Sequence, residues 1–272
     1  MSRADGSESA EALADPDAIG VLHHLSSSGG TLIARTVAAM PSAVLLSEVH
    51  PLSPRRVWFN PFDPIPQLLA NYPDLGPDAD GQKAEFRRRL ELVWNGCRRV
   101  GRRLVLRNHA HSDFLGTDPT GRLELETALP DGASLKRAAT LRDPVDAWLS
   151  MQASGFAKSM KSFDDYCVRV EAFLAQFEPD EVETYEAFVA EPAAVARRLC
   201  ERLGVVFVPG RETAFAEISI SGNSGRGEAW TEVRRAQRRP FTPAFRRRVL
   251  KSEAYGRIAA RFGYPRDPID AF

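Results

Sequence analysis

The apolar run Ile19 to Leu25 (IGVLHHL) has the length and composition of a short buried strand. The SSSGG that follows breaks it before TLIARTVAAM, a segment of helical composition. The chain therefore opens with strand, glycine-containing turn and helix. A second run, AVLLSEV (43–49), predicts a strand that Pro51 stops. From 82 to 100 the period becomes that of an amphipathic helix, with Phe86, Leu90, Val93 and Cys97 on one stripe. Further strands are predicted at LVLR (104–107), LKRAATL (135–141) and VETYEAF (182–188). Asp143 is placed to N-cap a helix whose first position is Pro144. More helices are predicted at 163–177, at 191–204 with a glycine C-cap, and from Thr242 to near Gly263. Strands alternating with helices at this spacing predict an α/β fold. The expected form is one P-loop-type domain, a parallel sheet of four or five strands with helices on both faces.

Residues 1–17 are polar and are expected to form a disordered arm, leaving 18–272 as the domain. The proline-rich stretch 51–80, which includes WFNPFDPIP, and the stretch 112–133 predict long loops, and loops of that length usually shape binding sites. No internal repeat is visible. Lys and Arg number 36 against 36 Asp and Glu, a formal net charge of zero. That balance argues against a nucleic-acid partner, whose footprint is a basic excess. Arginines 234, 235, 238, 239 and 246–248 are expected on the solvated faces of helices. Three scattered cysteines, Cys97, Cys167 and Cys200, point to a reducing compartment. The acidic N-terminal stretch is not a secretory signal, and no run approaches the 18 or so apolar residues of a membrane span. A soluble, cytoplasmic protein is the expectation.

The candidate chemistry begins at the first turn. A helix that starts directly after SSSGG presents unpaired N–H groups and its positive dipole end, which together favour an anion. Glycines let the backbone approach that anion, and Thr31 and the three serines add hydroxyls. No Lys follows the second glycine, so this is not a Walker A loop and lacks that motif's β/γ-phosphate clamp. Arg142 ends a predicted strand, at the sheet mouth where such folds take ligands. Ser150 lies on the helix that follows, on the same face as the cap residue Asp143. Guanidinium and hydroxyl could converge on one phosphate. Alternatively Arg142 is a partner of Asp143 or Asp146.

Taken together these segments resemble the PAPS-dependent sulfotransferases (PAPS is 3′-phosphoadenylyl sulfate, and PAP is the product left after sulfuryl transfer). SSSGGTL (26–32) is similar to the family's PKSGTTW loop. The resemblance implies that Ser26, Ser27, Ser28, Gly29, Gly30, Thr31 and Leu32 surround the 5′-phosphosulfate. Arg142 and Ser150 match the Arg and Ser of the RDPxxxxxS setting that holds the 3′-phosphate. YEAFVAEPAAVARRLCERLG (185–204) resembles a later family stretch and puts Tyr185 beside adenine. SGNSGRG (221–227) resembles the loop that closes over the 3′-phosphate through Gly225, Arg226 and Gly227.

The chain departs from the family at Ser27, where many members carry a Lys or Arg that neutralises the departing nucleotide oxygen. Arg107, Arg35 or a helix N-terminus would then have to supply that charge. Two general bases are implied. Arg107-Asn108-His109 resembles the KxH setting of small-molecule sulfotransferases, and Glu48-Val49-His50 resembles the ExH pattern of carbohydrate sulfotransferases of the heparan type. His111 is a third, lesser candidate. The implied function is PAPS-dependent sulfation of a hydroxyl, or failing that an amine, on a small-molecule or carbohydrate-like acceptor, without a metal. The alternatives are a P-loop kinase using ATP and a non-catalytic PAP-binding module.

Overall fold

A computed structural model of the chain describes residues 15–52, 68, 73–220, 233–234 and 237–270. Five strands form a single parallel sheet: β1 (Ala18–His24), β2 (Ala43–Val49), β3 (Arg103–Asn108), β4 (Ser134–Leu141) and β5 (Val182–Thr184), in the order β2-β3-β1-β4-β5. β1 is central and buried along its whole length. From β1 the chain passes to the edge strand β2 and returns to β3 beside β1, then crosses to build β4 and β5 on the other side. The topological switch therefore falls at the C-terminal end of β1, where open parallel sheets bind ligands.

Helix α1 (Gly30–Ala38) leads from β1 to β2, and α2 (Ala79–Arg99) leads into β3. A one-turn α3 (His111–Phe114) follows β3, while α4 (Pro144–Ser154) and α5 (Phe163–Leu174) follow β4. After β5 come α6 (Tyr185–Ala190), α7 (Pro192–Leu203), α8 (Pro243–Lys251) and α9 (Glu253–Phe262). Alternate residues of β1 face opposite layers. Leu22 packs with Ile33, Val37, Leu199 and Leu203 of α1 and α7. Ile19 and Val21 pack with Leu90 and Trp94 of α2. Phe163, Tyr166, Val249 and Tyr255 join α4, α5, α8 and α9 into a third apolar layer.

Several expectations needed correction. The strand predicted at 182–188 ends at Thr184, whose hydroxyl accepts from the Ala187 N–H and caps α6. The last helix is two helices, because Ser252 leaves the helical conformation and caps α9 through the Tyr255 N–H. The helix predicted at 163–177 stops at Leu174. On α2 the buried stripe passes through Trp94, while Val93 is exposed, since the larger apolar side chain takes the covered position. Residues 15–17, expected in a disordered arm, are pinned: the buried Arg103 donates to the Asp15 carbonyl, and Asp17 pairs with Arg98 at 2.6 Å. The rest of the arm lies outside the described residues, as does most of 51–80. The stretch 112–133 is tied down by ion pairs of Glu124 with Lys83 and Arg122, and Glu126 stands 3.0 Å from His23 Nε2.

Candidate functional site

The turn between β1 and α1 lies at the end of the central strand, directly before the first residue of α1. Two of its residues adopt the left-handed conformation, Ser27 at φ 63° and Gly29 at φ 79°. Ser28 is buried, and its hydroxyl donates to the Leu25 carbonyl at 2.8 Å, so its proton closes the turn. Gly29 ends the turn as the N-cap of α1, and the first N–H groups of the helix have no intrahelical acceptor. A Cβ on Gly29 would stand 2.3 Å from the Tyr185 ring, so the glycine is required by that ring as well as by its φ. Leu32 contributes mainly to packing against the layer of α1 and α7.

Arg142 follows β4 immediately, beside this turn. Its guanidinium lies 5.1 Å over the Tyr185 ring and donates to the Ser27 carbonyl at 3.3 Å. It is 9% exposed, and its buried Nε has no partner among the described residues. The neighbouring carboxylates do not hold it. Asp143 and Asp146 are both paired with Arg238, the latter at 2.7 Å. Arg238, expected on a solvated helical face, is thus a partly buried clamp outside any helix. Asp143 also caps α4 through the Val145 N–H. Burial pushes its carboxyl up to about 6, with Arg238 opposing. The structure therefore leaves Arg142 with an uncommitted donor and removes its competing role. Ser150 is buried on α4, two turns along from Arg142. Tyr185 is buried and begins α6 directly after β5. Gly225, Arg226 and Gly227 lie outside the described residues.

The two candidate bases meet. Glu48 sits at a register shift between Ser47 and Val49 near the end of β2, with φ 61°. One of its oxygens is 2.7 Å from Arg107 Nη1, and the other is 3.2 Å from His109 Nε2. His109 Nδ1 lies 2.8 Å from Ser112 Oγ. Arg107 is buried in β3 and also donates to Ser47 Oγ at 2.8 Å and to Thr31 Oγ1 at 3.0 Å. A single cation thus links the first turn of α1 to Glu48. Burial raises the Glu48 carboxyl above its ordinary range, with Arg107 opposing. Of the residues considered as replacements for the charge missing at Ser27, Arg107 reaches the first turn of α1. Arg35 stands in the last turn of α1, at the far end of the helix from the β1–α1 turn.

The His111 ring packs 3.5 Å from that of His109. Glu48, His109 and His111 offer ligand atoms within 4.8 Å of one another, a donor set of the type that transition metals accept. Arg107 already holds one Glu48 oxygen, so a dication there would meet a competing positive charge. His50, the last residue of the ExH pattern, is committed elsewhere. Its Nδ1 accepts from the Leu52 N–H, so Nε2 donates to the buried Asp113 at 2.8 Å.

Among the described residues no helix is long and apolar enough to cross a membrane. No protein-family model matches the chain, and no curated protein matches it by sequence. Solved structures do. The chain is similar to the sulfotransferase domain from the curacin biosynthetic pathway, with TM-score 0.50 and 18% identity, covering 91% of this chain and 98% of that one. A sulfotransferase from Alicyclobacillus acidocaldarius matches with TM-score 0.46 and 16% identity over 90% of this chain and 93% of its own. A mouse sulfotransferase, SULT7A1, complexed with PAP, matches with TM-score 0.40 and 15% identity over 75% and 64% of the two chains. The first of these likenesses shows the fold, which is that of a sulfotransferase domain.

Proposed function

We propose that this protein transfers a sulfuryl group from PAPS to a hydroxyl of a small-molecule or carbohydrate-like acceptor, with an amine as the less favoured nucleophile. The observation that carries this reading is the placement of Arg142. A second cationic group beside an anion-binding turn, stacked on an aromatic ring and with a buried donor unspent, suits a nucleotide bearing a second phosphate. Tyr185 offers its ring to the base, and Ser150 a hydroxyl to the 3′-phosphate. Gly225, Arg226 and Gly227 belong to the same proposed set through their motif alone.

In the proposed reaction the acceptor oxygen attacks sulfur in line with the bond to the 5′-phosphate. That S–O bond breaks, and the electron pair leaves with PAP. The turn amides and Arg107, which already reaches Thr31, stabilise the leaving oxygen. Arg107 thereby takes the electrostatic role that Ser27 cannot. Glu48 accepts the acceptor's proton, and its raised affinity for protons suits that task near neutrality. His109 orients the Glu48 oxygen that faces it. None of these steps needs a metal. All three cysteines are free and buried, in keeping with a proposed cytoplasmic setting.

The test is a thermal-shift comparison of PAP, PAPS, ADP and ATP·Mg²⁺. A ligand at a hundred times its Kd stabilises by about 2.7 kcal/mol, which is readily resolved. PAP and PAPS are expected to stabilise the protein in the presence of a chelator, and ATP·Mg²⁺ far less. Preferential stabilisation by ATP·Mg²⁺ would support a kinase instead. Binding of PAPS with no turnover on any acceptor would leave a PAP-binding module.

A further inference from the structure

Beside the turn stands a residue that sequence motifs do not assign. His24 is the last residue of β1, 4% exposed, and its ring stands directly against Gly30, the first residue of α1. A Cβ built on Gly30 would lie 2.3 Å from His24 Cδ2 and 2.8 Å from His24 Nε2. The imidazole therefore fills the space that a side chain at position 30 would occupy. This is side-chain space at the first position of a nine-residue helix, beside the unpaired amides that face an anion. Gly30 needs no glycine for its own φ, which is not positive, so the ring accounts for the absence of a side chain there.

A second, independent observation concerns the ring's polar atoms. His24 Nδ1 is buried, with no hydrogen-bond partner among the described residues. Burial, reinforced by the neighbouring Arg107, His111 and His109, holds the imidazole neutral. A neutral imidazole carries one N–H and one lone pair. An N–H at Nδ1 would be a buried donor with no acceptor, so the proton belongs on Nε2, the nitrogen beside Gly30. An unpartnered polar side chain, more than nine-tenths buried, thus borders the mouth of a helix N-terminus.

We propose that His24 is a ligand-binding residue that substitutes for a side chain at position 30, its Nε2–H donating to the oxyanion bound by the turn, the 5′-phosphate group of the nucleotide. The inference rests on the nucleotide reading above and deepens it, assigning to a strand residue a contact that the turn itself does not make.

The experiment compares His24→Gln, which retains an N–H near the Nε2 position, with His24→Asn, which retains only the Nδ1 position. PAP and adenosine 3′-phosphate, which lacks the 5′-phosphate, are titrated by calorimetry into wild type and both variants, and each melting temperature is recorded. His24→Asn should weaken PAP roughly ten- to a hundredfold, the worth of one hydrogen bond to a charged acceptor, and leave adenosine 3′-phosphate unchanged. His24→Gln should bind PAP within about threefold of wild type, a difference under 1 kcal/mol. Wild-type PAP affinity in the Asn variant overturns the proposal. So does an equal loss in both variants, or an equal loss for both ligands, since either marks a packing role. If wild type binds neither ligand, the nucleotide reading has failed and His24 falls with it. Binding of PAP by wild type separates that failure from a failure of His24 alone.

Discussion

At the scale of single residues, the site is defined by which charges are already paired. Arg142 has two aspartates close by in sequence, and Arg238 takes both. If Arg142 forks onto a 3′-phosphate, Arg142→Ala should weaken PAP by roughly 2–4 kcal/mol, because charge-assisted hydrogen bonds are the strong ones. Adenosine 5′-phosphosulfate, which has no 3′-phosphate, should bind the variant about as well as wild type. Calorimetry with both ligands decides it, and an equal loss for both would make Arg142 structural. Glu48 and His109, separable candidates in the sequence, stand side by side, 3.2 Å apart. With Glu48 as base, Glu48→Gln should lower kcat at least about a hundredfold with PAP affinity intact. His109→Ala should cost less and act mainly on the acceptor KM. Because burial raises the Glu48 carboxyl, the acidic limb of kcat should fall above the usual carboxylate range, activity being lost as pH drops through it. If that limb vanishes in the His109 variant while Glu48→Gln retains it, the roles are reversed.

The elements are positioned by devices that double as site architecture. Asp143 is the clearest of these, joining the end of β4 to α4 and, through Arg238, to the segment before α8. The Asp143 N–H donates to Glu186 at 3.1 Å, and Glu186 accepts from Tyr264, so α6 and the C-terminal segment meet at the same point. This junction holds Arg142 and Tyr185 in register with each other. Its carboxyl is raised from 3.8 to about 6, so between those values the folded state binds more protons than the unfolded one. The stability that Asp143 contributes in its protonated form is full below about pH 4 and is lost as pH rises through about 6. The melting temperature of Asp143→Asn minus that of wild type should accordingly shift in the variant's favour from pH 4 to pH 6.5. A difference that stays flat across that range would place the carboxyl near its ordinary value.

Over the whole molecule, the strand order concentrates the chemistry. With β1 central, the turn after His24 has β3 on one side and β4 on the other. Arg107 and His109 arrive from the first and Arg142 from the second. Glu48, one strand further out, reaches the same mouth because the register shift at the end of β2 turns it out of the ladder. In a flat register its side chain would follow the alternation of the strand. The left-handed φ of Glu48, like that of Ser27, is local strain placed where the site is proposed to act.

The α/β class, the parallel sheet and the strand–turn–helix at SSSGG were legible in the sequence because each depends on short-range pattern. Apolar runs of strand length, the SSSGG break, and the Asp143-Pro144 and Gly204 caps are all local signals. Tertiary structure decided what depends on distant partners. Val93 and Trp94 are adjacent, and only the packing of α2 on the sheet chose Trp94 for burial. VETYEAF has the composition of a strand throughout, yet the Thr184 cap ends it where the sheet edge ends. Arg238 reads as a surface residue until the fold brings it to aspartates more than 90 positions away. His50 fits a motif in sequence but is spent on Asp113 in space. His24 carried no motif at all, and its one visible trace was a glycine six residues on, whose missing side chain is explained only by the ring that fills its place.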